Sequence, residues 1–272
     1  MDKFEKEYFE SLRVHLPQFE NKLNEVARER IKMFSAAVTR QLLDEKQDFD
    51  LIMGPGNSGL FMSKIAKLVY EELQKEIPLI VNVPIERILE EDTVTKLLVG
   101  DVKIPSIENK TANILFVDDE IMRGLTAKVS FELLIQINPG IEHIDATIIA
   151  ENHFFEWHWD LPKVSVKFFA YARLIQWING TIGHFIPDEL FEKIKKEISE
   201  VETHNDAMAA VVGGGLKKVA DSKPYYDLGV NEVLKTKIGN YEEKQKELMN
   251  ELRDLVKTGV EDYKSGKIKF RF

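Results

Sequence analysis

The sequence predicts an α/β protein: a parallel β-sheet flanked by helices, with helical additions at both ends. Three observations predict it. Short, nearly all-apolar runs at Phe49–Met53, Ile114–Val117 and Ile144–Ala150 have the composition of strands buried on both faces. Segments of helical periodicity alternate with these runs, the pattern of parallel strands joined by crossover helices. The runs also end in residues suited to ligand contact: Gly54, Gly56 and Gly59 after the first, Asp118 and Asp119 after the second. Ligands bind beyond the C-terminal ends of the strands in open parallel sheets. Gly54–Gly59, Asp118–Thr126 and Glu151–His153 are therefore expected along one edge.

In chain order, residues 1–48 read as a helical cap. Leu23, Val26, Ile31, Phe34 and Val38 recur at near-helical spacing, and Pro17 divides the region in two. Phe49–Met53 is the first strand, followed by the glycine-rich stretch Gly54-Pro55-Gly56-Asn57-Ser58-Gly59. A helix is signalled from Leu60 by the ladder Phe61, Ile65, Val69 and Leu73. The stretch matches neither a complete dinucleotide fingerprint nor a Walker loop. It is either a tight turn that needs glycine for conformation alone or a backbone cradle for phosphate.

Pro78–Pro84 reads as a strand and Leu97–Val102 as one returning. The polar segment Ile85–Lys96 between them is a mobile lid or a solvated hairpin. Asn113–Ser130 then combines a strand, two adjacent acids and a short turn with Gly124 and Thr126. After Thr126 a helix carries Val129, Leu133, Leu134 and Ile137, and Asn138-Pro139-Gly140 stops it. Ile144–Ala150 and Val164–Tyr171 are further strands, and a helix starts at Pro187-Asp188-Glu189-Leu190 and runs toward Val201. Together residues 49–190 form the expected α/β core.

Residues 191–272 read as a helical extension that packs on the core or on a second subunit, so a homodimer is one expected arrangement. It contains the linker Gly213–Gly215 and an amphipathic helix from about Tyr241 to Val260, with Leu248, Leu252, Leu255 and Val256 on one face. No internal repeat or low-complexity tract is present.

Composition narrows the function classes. The chain has 272 residues, a formal net charge of −9 and no cysteine. It therefore has no disulfide and no thiolate nucleophile or metal ligand. The acidic balance argues against a broad nucleic-acid surface. No stretch approaches ~18 consecutive apolar residues, so no membrane span is expected. The charged start MDKFEKEYFE lacks the apolar core of a secretory signal, and a cytoplasmic location is expected.

The two loops, in their order and separation, resemble those of the type I phosphoribosyltransferases over about residues 45–190. The carrier is Val117-Asp118-Asp119-Glu120-Ile121-Met122-Arg123-Gly124-Leu125-Thr126, against a family pattern of an apolar strand, two acids, a few residues and Thr-Gly-x-Thr. Gly54–Gly59 resembles the family's pyrophosphate loop, and the intervening polar segment its flexible loop. The chain departs at Arg123, where the family usually has threonine: the arginine either supplies a charged donor to phosphate or obstructs the loop.

This resemblance implies transfer of a phosphoribosyl group from phosphoribosyl pyrophosphate to a nitrogenous base, with Mg²⁺. Asp118 and Asp119 would bind the ribose hydroxyls. Met122, Arg123, Gly124, Leu125, Thr126 and Ala127 would form the 5-phosphate loop. Gly54, Pro55, Gly56, Asn57, Ser58 and Gly59 would hold pyrophosphate. Mg²⁺ favours phosphate oxygens and water, so no dedicated cluster of protein ligands is expected.

Other readings stay open. Arg87 and Lys96 are phosphate contacts or solvated surface charges. Asp118 and Asp119 can alternatively cap the following helix. His153 and His158, near Glu151 and Glu156, are metal ligands or ordinary pocket histidines. Trp157, Trp159 and Trp177 stack on a planar acceptor or fill the core. The alternative function is a non-catalytic sensor of phosphoribosyl pyrophosphate or a nucleotide.

Overall fold

The computed structural model describes residues 22–90, 93–100, 104, 106–107, 109–121, 124–152, 160–173, 181–213, 215–220, 223–228 and 230–270. The chain opens on helix α1 (Leu23–Leu43). Strand β1 (Leu51–Pro55), helix α2 (Gly56–Glu72) and strand β2 (Leu79–Val83) follow. An antiparallel hairpin, β3 (Ile85–Glu90) and β4 (Thr93–Val99), precedes the long strand β5 (Thr111–Ile121). Then come α3 (Leu125–Ile137), β6 (His143–Asn152) and β7 (Val164–Arg173). Beyond them lie a 3-10 turn (Thr181–Phe185), α4 (Asp188–Glu197) and α5 (His204–Met208), which runs into a π turn (Ala209–Gly213). A second hairpin, β8 (Leu216–Ala220) and β9 (Lys223–Leu228), leads to α6 (Val230–Lys237) and α7 (Tyr241–Lys264).

The central sheet has the order β2-β1-β5-β6-β7, and every pairing in it is parallel. This is the expected α/β class. Strand periodicity of two sorts side chains between the two faces. Ile52, Leu115, Val117, Ile149 and Phe169 join one apolar cluster with α1, α2 and α7. Leu51, Met53, Ile114, Phe116 and Ile148 join the other, which α3 closes with Ala127, Phe131 and Leu134.

Several elements depart from the sequence expectation. Helix α2 begins at Gly56, not Leu60, so Asn57, Ser58 and Gly59 form its first turn and no separate loop remains. Close packing explains this. A Cβ on Gly54 would lie 2.2 Å from the Gly59 carbonyl oxygen, and Gly56 takes φ +58° to turn strand into helix. The polar segment after β2, by contrast, takes one of the two forms the sequence left open, the hairpin β3–β4, in which Arg87 pairs with Leu97 and Ile88 with Lys96. Helix α4 stops at Glu197, short of Val201. The C-terminal region, read as a helical extension with a glycine linker, also includes the β8–β9 hairpin. Gly213 ends the π turn, so this part of the expected linker is hydrogen-bonded structure.

Helix α7 packs on the core along α1. Leu248, Leu252 and Val256 are buried as their spacing suggested, while Leu255 is only partly covered. Gly259 allows the close approach: a Cβ there would come 2.5 Å from the Lys32 carbonyl. Leu252 is fully buried, and Leu252→Ala is expected to lower unfolding free energy by about 3 kcal/mol. Urea denaturation checks this; a loss under about 1 kcal/mol would mean that α7 contributes little to the folded core.

Candidate functional site

The C-terminal edge of the sheet is built around an irregularity in β5. Val117 pairs with Ile149 and Glu120 with Glu151, so Asp118 and Asp119 together oppose the single residue Ala150. This is a β-bulge, a device that locally re-aims side chains. Both acids are nearly buried, at 8% and 7% exposure. Each carboxylate accepts the backbone N–H of the next residue: Asp119 N to Asp118 Oδ1 at 3.0 Å, and Glu120 N to Asp119 Oδ1 at 2.9 Å.

Helix α2 meets this bulge. Ser58 Oγ donates to Asp118 Oδ1 at 2.9 Å, joining the glycine-rich stretch to the acid pair across 60 residues of sequence. Asn82, at the end of β2, fixes the turn before it by donating from Nδ2 to the carbonyls of Gly54 at 2.8 Å and Gly56 at 2.7 Å. On the other side of the bulge, Gly124 adopts φ +68° and leads directly into α3. Glycine takes that left-handed conformation at the least cost. The first-turn N–H groups of α3 and its positive dipole end follow, a suitable place for an anion.

The C-terminal region also enters the site. Asn205 Nδ2, from α5, donates to Asp119 Oδ2 at 2.6 Å. Its neighbour Asp206 accepts from Asn57 Nδ2 at 3.0 Å and pairs with Lys218 Nζ at 3.2 Å. Asp206 is placed by a capping box: it accepts from Thr203 N while Thr203 Oγ1 accepts from Asp206 N. Asn57 is thus engaged through its side chain with α5.

Beneath the bulge lies a buried polar network. Tyr171 Oη is 3.2 Å from Glu151 Oε1 and 3.3 Å from the Asp119 carbonyl. Arg30 Nε, from α1, is 3.2 Å from Glu151 Oε1. Burial pushes Glu151 up from 4.5 to about 7, outweighing Arg30, which lowers it, and is reinforced by the Asp119 charge. Burial likewise pushes the Tyr171 hydroxyl up, so it stays protonated and able to donate.

The sign of a pH effect follows. Glu151 binds its proton more tightly in the folded chain than in the unfolded one, so its contribution is complete below pH 4.5 and is lost as pH rises toward 7. The loss amounts to ~3 kcal/mol. Glu151→Gln removes this titration. The stability of the wild type relative to the variant is expected to fall by that amount between pH 4.5 and pH 7.5, as read by denaturant unfolding. A constant difference would show that the carboxyl titrates normally.

The sequence-predicted residues therefore divide. The structure brings Gly54–Gly59, Asp118, Asp119 and Gly124–Ala127 to one edge, with Glu151 beside them. Met122, Arg123, His153, His158, Trp157, Trp159 and Trp177 lie outside the described residues, as do the side chains of Arg87 and Lys96. Arg30, Asn82, Tyr171, Asn205, Asp206 and Lys218 were not foreseen. The spacing Thr203-x-x-Asp206 was a legible helix start, but nothing local indicated that this helix reaches the acid pair. The N-terminal region, read as a cap without chemistry, supplies Arg30 to the network.

Among the described residues no helix is long and apolar enough to cross a membrane. No protein-family model and no curated protein matches the chain. Among solved structures, the chain is similar to a hypoxanthine phosphoribosyltransferase from Staphylococcus aureus, at 16% identity and TM-score 0.37, over 53% of this chain and 74% of that one. It is similar to a purine phosphoribosyltransferase from Pyrococcus horikoshii, at 16% identity and TM-score 0.35, over 51% and 82%. It is also similar to a hypothetical protein from Neisseria gonorrhoeae with bound ppGpp, at 15% identity and TM-score 0.36, over 53% and 78%. At these values the likenesses bear on neither substrate nor reaction, and the α/β class stands on the strand order itself.

Proposed function

We propose that this chain transfers a phosphoribosyl group from phosphoribosyl pyrophosphate to a nitrogenous acceptor, a nucleobase by preference, and releases pyrophosphate. The observation that carries the reading is the 2.9 Å contact between Ser58 and Asp118, which makes one site of two distant motifs. Asp118 and Asp119 accept hydrogen bonds from the ribose hydroxyls and stabilise positive charge developing on the sugar. Gly124–Ala127 hold the 5-phosphate at the start of α3. Gly54–Gly59 receive pyrophosphate, Met122 and Arg123 complete the 5-phosphate loop, and Arg87 and Lys96 are further phosphate contacts. Asp118 and Asp119 offer hard carboxylate oxygens of the kind Mg²⁺ accepts, and phosphate oxygens and water would supply most of its shell. The chemistry such an ion would supply is neutralisation of charge on the leaving pyrophosphate.

A second reading rests on Asn205. Its amide and the Ser58 hydroxyl already engage the two carboxylates, as sugar hydroxyls would. In a non-catalytic sensor of phosphoribosyl pyrophosphate or a nucleotide, ligand displaces Asn205 and shifts α5 with the C-terminal region. Incubation with phosphoribosyl pyrophosphate, Mg²⁺ and a panel of bases separates the two. Pyrophosphate release with at least one base is expected. Binding of the sugar pyrophosphate without release, whatever the base, would leave the sensor.

A further inference from the structure

Three segments meet beside the site without contributing to the chemistry proposed above. The 3-10 turn brings His184, the first residue of α4 is Asp188, and the first residue of α5 is His204. One ligand atom from each lies within 4.8 Å of the other two. We propose that His184, Asp188 and His204 form a binding site for a divalent transition-metal ion of the Zn²⁺ class.

The geometry is close to that of a coordinated ion. His204 Nε2 is 3.1 Å from Asp188 Oδ1. Two ligands on a tetrahedral zinc, with bonds of ~2.1 Å, sit about 3.4 Å apart. An ion replacing the shared proton therefore fits this pair with little movement. The Asp188 side chain is exposed and free to adjust, and a ring nitrogen of His184 lies within 4.8 Å of both other ligand atoms. Two imidazoles and one carboxylate, with a fourth position open to water, make a donor set that suits zinc and its neighbours more than Mg²⁺ or Ca²⁺.

The histidines are held before any ion arrives. The His204 ring stacks on Phe191 at 4.0 Å and 21°, and on its other contact meets the His184 ring at 3.9 Å. Gly183 lets the turn lie against α5: a Cβ there would come 2.4 Å from Asn205 Oδ1 and 2.8 Å from Asn205 N. His184 Nδ1 is buried and has no hydrogen-bond partner among the described residues. Buried polar atoms are normally paired, and a ligand is one way to pair this one.

The ion clips together the 3-10 turn, α4 and α5. Because Asn205 follows His204 directly and donates to Asp119, the clip fixes the start of α5 over the acid pair. Its role is structural, and its test does not depend on the phosphoribosyl reaction.

Zn²⁺ titrated into the chelator-stripped full chain, followed by calorimetry and by competition with a chromophoric chelator, is expected to bind one to one. His184→Ala and His204→Ala should each weaken binding at least tenfold, and Asp188→Asn should weaken it as well. His143→Ala, remote at the start of β6, and the double variant His153→Ala/His158→Ala should bind as the wild type does. Ring NMR of the wild-type histidines supplies a measurement that no unfolded variant can confuse: Zn²⁺ should shift His184 and His204. Absence of one-to-one binding, retained affinity in folded His184 or His204 variants, or shifts confined to other histidines would overturn the proposal.

Discussion

Asp118→Asn combined with Asp119→Asn is expected to cut the rate of pyrophosphate release by at least about 10³-fold, some 4 kcal/mol of transition-state stabilisation. The two carboxylates are nearly buried on a bulge, in surroundings where water screens little. Their charge therefore acts strongly on a sugar carbon turning cationic. Asparagine keeps shape and an acceptor oxygen, so Ser58 and the Asp119 and Glu120 N–H groups retain partners, while the Asn205 amide, which donates to Asp119 Oδ2, has to turn its oxygen toward the new NH2 group. Urea unfolding of the variant should stay close to the wild type. Turnover within tenfold of the wild type would show that the reaction centre lies elsewhere. Single substitutions need not sum to the double, because the acids are adjacent and act on one substrate.

Gly54→Ala is the change with the largest expected cost in stability, about 4 kcal/mol. The added methyl would lie 2.2 Å from the Gly59 carbonyl oxygen and 2.4 Å from Ser63 Oγ. Serine can rotate away, but the carbonyl belongs to the first turn of α2 and can retreat only with the helix. That retreat pulls Ser58 from Asp118 and strains the Asn82 bonds to the turn. Denaturant unfolding should show the loss. A folded Gly54→Ala chain is also expected to bind phosphoribosyl pyrophosphate at least tenfold more weakly. A loss under about 1 kcal/mol would mean the strand–helix junction gives more easily than its packing implies.

The two variants probe different layers of one arrangement. The acids were legible because two adjacent carboxylates closing an apolar run are conspicuous against strand periodicity. The glycines were legible as a cluster, but their reason was not. Whether Gly54, Gly56 and Gly59 served a turn or a phosphate could not be separated by composition. Packing accounts for the conformation of all three: Gly54 and Gly59 touch, and Gly56 has positive φ, its would-be Cβ 3.0 Å from the Ile85 carbonyl. The same tightness brings backbone N–H groups to the edge where pyrophosphate is proposed to sit.

Sequence alone determined the parallel sheet, because strands buried on both faces must be apolar throughout and their crossover helices must be amphipathic. It also placed the acid pair, the glycine cluster and the start of α3 on one edge, because strand direction fixes which ends share a side. Only the tertiary structure decided how that edge is completed. Asn205, Asp206 and Lys218 reach it from the C-terminal region, and Arg30 from α1, across separations that leave no local periodicity. The bulge at Asp118 and Asp119 arises from pairing with β6, and the proximity of His184 and His204 from the packing of the 3-10 turn against α5. Such features are properties of contacts between elements, whereas hydrophobic pattern records only which face of each element is buried.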